Sequence, residues 1–186
     1  LEQGEDTGRV LDLRPMDPDM AVILLRAFAG AWAKQDKYAN ELCEMVGYLP
    51  LALRLAGRYL FKKKTAENYI KELTEKGVSA LQMRNPKGSA DSIPILMEKS
   101  LEQVGEDAQR ALGVAGLLAL QPVDGELIAA ALGLDEDATD DALGELVDYG
   151  LLIRSPEDLR YSTGHALVHS HARTELAPKD YTAIRL

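Results

Sequence analysis

Three histidines fall within seven positions, His165, His169 and His171, and imidazole either ligates metals or hydrogen-bonds to anions near neutral pH. His165 and His169 are four apart and share a helix face, whereas His171 projects elsewhere. Two imidazoles with no carboxylate or thiolate beside them leave a zinc site half built, so no metal is expected. The second cluster, Gly47-Tyr48-Leu49-Pro50-Leu51-Ala52-Leu53, carries no nucleophile, acid or base. Its chemistry is shape: a glycine that stops one helix and a proline that starts the next. A phosphate-binding loop needs Gly-x-x-x-x-Gly-Lys-Ser/Thr, so that backbone N–H groups can approach the phosphates. The nearest run, Gly57 to Thr65, has Lys62 where the second glycine is required. No apolar strand ending in paired acidic residues precedes Gly47. This chain is therefore expected to have no enzymatic activity of its own.

Composition narrows the field further. The chain has 186 residues, 46% hydrophobic and 27% charged, an ordinary globular balance with room for two small domains. A single cysteine, Cys43, rules out an internal disulfide framework. No apolar run approaches the roughly 20 residues that span a bilayer, and the polar start is unlike a signal peptide. A cytoplasmic protein without a membrane partner is expected. The net charge of −9 is unevenly placed: residues 92–176 hold five basic and sixteen acidic groups, a net −11.

Leucine and alanine dominate and apolar residues recur at three and four, which predicts helix. Asp17-Pro18 reads as an N-cap and first helical residue, opening a helix with Ile23, Leu24, Ala27 and Ala31 on one side. A second helix is expected over about 36–46 and a third over 51–60, followed by Lys62-Lys63-Lys64 as a solvated helix end. A fourth is capped by Thr65 and stopped by Gly77. Turn formers at 84–89 mark a linker. Helices then follow over 93–104, 106–118, 124–132 and 138–149, with Gly150 as the residue past the last. Leu151–Arg154 and Leu159–Ser162 flank Ser155-Pro156-Glu157-Asp158 and read as a hairpin with a four-residue loop. A last helix over about 165–176 should pack Val168, Ala172 and Leu176 inward. The expected fold is mainly α: a small helical bundle followed by a winged helix with one β-hairpin. Its parts are a leading strand and linker at 1–14, a bundle at 15–83, a linker at 84–91, a winged helix at 92–177 and a tail at 178–186.

In this order the motifs resemble the NB-ARC (AP-ATPase) family of STAND-class signalling NTPases. Gly47 to Leu53 is similar to that family's "GLPLA" segment, and the stretch from Tyr161 through His165 to Ala172 is similar to the "LHDLVRxYA" segment closing its winged-helix part. The resemblance covers the helical and winged-helix portions and not the P-loop domain. It implies that Gly47, Pro50 and His165 form a nucleotide-binding side, with the Pro50 ring against adenine and His165 reaching the β-phosphate of ADP. Two residues depart from the pattern: Gly164 stands for an apolar residue, and Ala166 for the aspartate after the histidine. The implied function is the regulatory, ADP-clamping part of a signal-transduction ATPase. ADP or ATP would bind only in the full-length protein, and the implied partners are a P-loop domain of the same chain and a downstream repeat sensor domain. The start without methionine fits a piece of a longer chain.

Two other classes compete. A DNA-binding winged helix needs a basic face to displace counterions from phosphates, yet the recognition-helix candidate at 138–149 holds Asp140, Asp141, Glu145 and Asp148 and no Lys or Arg. No DNA partner is expected on that ground. A nucleotide-independent protein-interaction scaffold is the remaining alternative.

Overall fold

Asp17 and Pro18 open the first helix as their order predicts. The Asp17 carboxylate accepts hydrogen bonds from the backbone N–H groups of Asp19 (3.0 Å) and Met20 (3.3 Å), and Pro18 takes the first helical position, where a missing N–H costs nothing. The computed structural model describes residues 16–30, 36–63, 66–77 and 92–177. The leading strand at 1–14, the Thr65 cap, the linker at 84–91 and the tail at 178–186 lie outside the described residues. Helix α1 (Pro18–Ala29) is followed by α2 (Asp36–Met45), α3 (Pro50–Lys63) and α4 (Ala66–Glu75). After these come α5 (Ser92–Leu101), α6 (Glu106–Leu117), α7 (Gly125–Leu132) and α8 (Glu136–Asp148). A hairpin of β1 (Ile153–Arg154) and β2 (Tyr161–Ser162) follows, and then α9 (Ala166–His171). The fold is mainly α with one antiparallel hairpin.

Helix α1 turns a different face inward from the one its larger residues suggest. Ala21, Leu25 and Ala29 are buried while Ile23 is 57% exposed. The reason lies in α3, where Gly57 lets the helices meet almost backbone to backbone: a Cβ there would stand 2.6 Å from Phe28 Cβ and 3.1 Å from the Leu25 carbonyl oxygen. The contact therefore falls on the turn from Leu25 to Ala29. Beneath it, Leu42, Cys43 and Val46 of α2 and its following turn are fully buried. Burial pushes the Cys43 thiol up to about 11, against the smaller opposing effect of the Arg26 charge.

The hairpin is shorter than its sequence suggests. Ile153 pairs with Ser162 and Arg154 with Tyr161, so the connection runs over 155–160, with Leu159 at φ +59. A four-residue loop would have put Leu159 opposite Arg154. Tyr161 is instead fixed from its other side, exchanging both backbone hydrogen bonds with Val123 at 2.8 and 2.9 Å. Val123 is a one-residue strand with no alternation to betray it.

Past α9 the chain continues as a wide π-helical turn over Ala172–Leu176, with Val168 and Ala172 buried as expected. This segment lies on α6, where a Cβ at Gly116 would meet Arg173 N at 2.6 Å and one at Gly113 would meet the Leu176 carbonyl oxygen at 2.6 Å.

Helix α3 also reaches the second half of the chain. The Tyr59 ring stacks on Tyr69 of α4 (4.3 Å between centroids) and meets Tyr149, just past α8, edge-on at 6.5 Å. Lys62, exposed as its sequence predicts, also pairs with Asp148 of α8. Between α4 and α5, Lys99 Nζ lies 2.8 Å from Glu72 Oε2, in ion-pair contact but off the axis of a well-aligned hydrogen bond, and 3.3 Å from Glu102 Oε2. Contact with Glu72, opposed by burial and aided by Glu102, raises the Lys99 pKa.

Two glycine substitutions should separate close packing from backbone entropy. Gly144 on α8 has open space around it, so Gly144→Ala should stabilise the protein by about 0.5–1 kcal/mol. Gly116→Ala should destabilise it by about 1–3 kcal/mol, because the atom in its way is backbone. Urea denaturation followed by circular dichroism reads both, and a Gly116→Ala midpoint at or above that of the parent would contradict the packing.

Candidate functional site

The turn before α3 is built from two successive residues in left-handed conformation, Gly47 (φ +69) and Tyr48 (φ +56). Glycine adopts this freely, whereas Tyr48 incurs a cost on the order of 1–2 kcal/mol. The turn is held by Gly47 N–H to Glu44 O and Tyr48 N–H to Cys43 O, both 3.0 Å, while the Tyr48 carbonyl accepts from Met16 N–H at 3.1 Å. It delivers Pro50 as the first residue of α3. Gly47 shapes the turn without lining the groove that Pro50 faces.

That groove, of about 230 Å³, is lined by the apolar Leu24, Phe28, Pro50 and Leu51 of α1 and α3, by Arg54 of α3, and by Gly164 and His165 before α9. The structure thus brings Pro50 and His165 together from opposite ends of the chain. His165 is the N-cap of α9, and its Nδ1 accepts a hydrogen bond from the Leu167 N–H at 3.1 Å. Nδ1 must then be the bare nitrogen, which leaves the proton on Nε2. Among the described residues no acceptor takes that Nε2–H.

Arg54 is the residue that sequence reading missed. It is half-buried, its Nη2 donates to the Thr163 carbonyl oxygen at 3.3 Å, and its Nε is buried without a partner. Desolvation, and after it the like charge of Arg58, lowers its pKa, though a guanidinium stays charged. Gly164, at φ +64, lies beside it: a Cβ there would meet Ile153 Cδ1 first and would stand 2.8 Å from Arg54 Nη1. The departure at 164 thus suits a left-handed backbone that a side chain would strain. The one available signal was a lone arginine inside an otherwise apolar run four residues after Pro50.

Gly164 and His165 also border a second cleft, of about 330 Å³, that extends to Ala119, Pro122 and His169. His169 Nε2–H donates to the Leu118 carbonyl oxygen at 2.9 Å, at the C-terminal end of α6. Among the described residues no group of three or more His, Cys, Asp or Glu side chains could hold a metal ion. Another cleft, of about 590 Å³, is lined by Glu126, Glu136 and Asp140 together with Arg154. No described helix is long and apolar enough to cross a membrane.

No family model, characterised protein or solved structure matches the chain. Its function must therefore be argued from residues and geometry.

The histidines should separate by role. His169→Ala removes the bond that closes the end of α6 and should lower stability by about 1 kcal/mol. His171→Ala should change it by less than about 0.5 kcal/mol. Equal unfolding midpoints for the two variants would show that the His169 bond contributes nothing.

Proposed function

We propose that this chain is the nucleotide-sensing, ADP-clamping portion of a signal-transduction ATPase of the NB-ARC type, acting as a conformational switch rather than as a catalyst. The observation that carries this reading is the single groove shared by Pro50 and His165. Its apolar side suits a purine face, and the free Nε2–H of His165 suits an oxygen of a phosphate. Gly47 contributes by fixing the turn that presents Pro50. ADP contacts made only in a closed arrangement would hold it closed, and an activating signal must outweigh that differential affinity. The phosphate-binding loop would come from a P-loop domain of the same parent chain, and the signal from a downstream repeat domain. The switch would work in the cytoplasm.

The alternative of a DNA-binding winged helix meets an electrostatic obstacle. Helix α8, where a recognition helix would lie, carries Glu136, Asp137, Asp140, Asp141, Glu145 and Asp148 and no basic residue, and such a face repels phosphates. Random duplex DNA should give no gel shift at physiological salt, and a salt-sensitive shift would favour the DNA-binding reading.

ADP alone should bind this chain more weakly than micromolar by calorimetry, because the loop and Mg²⁺ supply most phosphate affinity in such NTPases. In a parent carrying the P-loop domain, His165→Ala should speed ADP release by about tenfold or more, the loss of a charged hydrogen bond. His165→Asn keeps a side chain able to cap α9 and should speed release as much. Unchanged off-rates in both variants would remove His165 from nucleotide sensing, and a change in the alanine variant alone would assign its effect to the cap.

A further inference from the structure

Arg54 and Arg58 stand one turn apart on α3, and among the described residues neither has a carboxylate partner. Like charges at this spacing oppose each other. Arg58 is accounted for, lying 5.8 Å from the centroid of the Phe28 ring, an arrangement that favours a cation. Arg54 is not. A buried guanidinium N–H left unmatched is costly, and Arg54 keeps one although the neighbouring Thr163, itself only 4% exposed, has its own unpartnered hydroxyl. An arginine side chain is most completely satisfied by an oxyanion, a phosphate among them, that takes two of its N–H groups at once. The open groove at Arg54 also exposes the spare N–H of His165, which puts donors from α3 and from the start of α9 on one small volume with no acidic residue lining it.

We propose that Arg54 is a phosphate-contacting residue of this groove, binding the same phosphate group as His165. Gly164, glycine at a left-handed φ, leaves the guanidinium and the Ile153 side chain the space beside it. The ligand class is a phosphate-bearing anion. Its identification as a nucleotide rests on the function proposed above, while the contact itself does not. The Thr163 carbonyl bond holds the guanidinium beside the groove before the anion arrives, which reduces the ordering cost of binding. The neighbouring Pro50 side is apolar, so a free anion uses only the donor half of the groove.

The test is an NMR titration of the chain with sodium pyrophosphate at physiological salt, following the backbone amides of Gly164 and of Leu167, the latter bonded to His165 Nδ1. Saturable shifts at both amides are expected for the parent chain, and affinity should fall about tenfold or more in Arg54→Met. Arg54→Lys should lie between the two, since lysine keeps the charge but not the fork. Arg58→Met should bind like the parent. Circular dichroism melts establish that each variant is folded, and an unfolded Arg54→Met leaves the lysine variant to decide, with parent-like affinity counting against the proposal. Absence of saturable shifts in the parent, or equal losses in Arg54→Met and Arg58→Met, would overturn it. A parallel titration with ADP separates the two readings: ADP no tighter than pyrophosphate would sink the nucleotide assignment while the Arg54 contact stands.

Discussion

Helix α3 is apolar around most of its circumference. Leu51, Ala52, Leu53, Leu55, Ala56, Tyr59 and Leu60 are all buried, and a helix of this kind cannot be left with a side facing water. It has to be covered from several directions, which a single partner helix cannot do. Helix α1 covers one side through the close approach at Gly57, and α5 another. Tyr69 of α4 and Tyr149 beyond α8 complete the enclosure around Tyr59. Because these partners come from both halves of the chain, burying one helix also joins the bundle to the helices and hairpin that follow.

The same demand explains where polar groups end up. Arg54, Arg58 and Lys62 recur every fourth residue along α3, and each finds a different solution at the junction. Lys62 meets a carboxylate on α8, Arg58 meets an aromatic face, and Arg54 reaches a backbone carbonyl before α9. The glycines opposite them, Gly150 and Gly164, lie within 3.2 Å and 2.8 Å of arginine atoms when a Cβ is added. At Gly150 the near atom belongs to the Arg58 stem and at Gly164 to the Arg54 guanidinium, with Ile153 nearer still, and the positive φ at both positions favours glycine.

Local chemistry was legible in the sequence, and docking was not. Asp17-Pro18, the Gly47 to Pro50 turn and Gly150 could be read because each acts on its own backbone within a few residues. The inward face of α1 could not, since it depends on where Gly57 of another helix lets the turn from Leu25 to Ala29 come close. The hairpin register failed for a similar reason: Val123, far away in sequence, holds Tyr161 and overrides the local turn. At the site, Pro50 and His165 could be singled out as residues, but their shared groove depends on how α3 sits against the start of α9. Arg54 was hidden because a charged residue in a helix is ordinarily taken for a solvent-facing one.

Cys43 turns this architecture into something that can be timed. A thiol fully enclosed by the bundle, and held protonated up to about 11, presents almost no thiolate to a reagent at neutral pH. It is also the only cysteine in the chain. Its rate of modification is therefore a clock for separation of α2 from its neighbours, with no engineered label and no second signal to subtract. Fast and slow reagents can distinguish frequent small openings from rare complete ones.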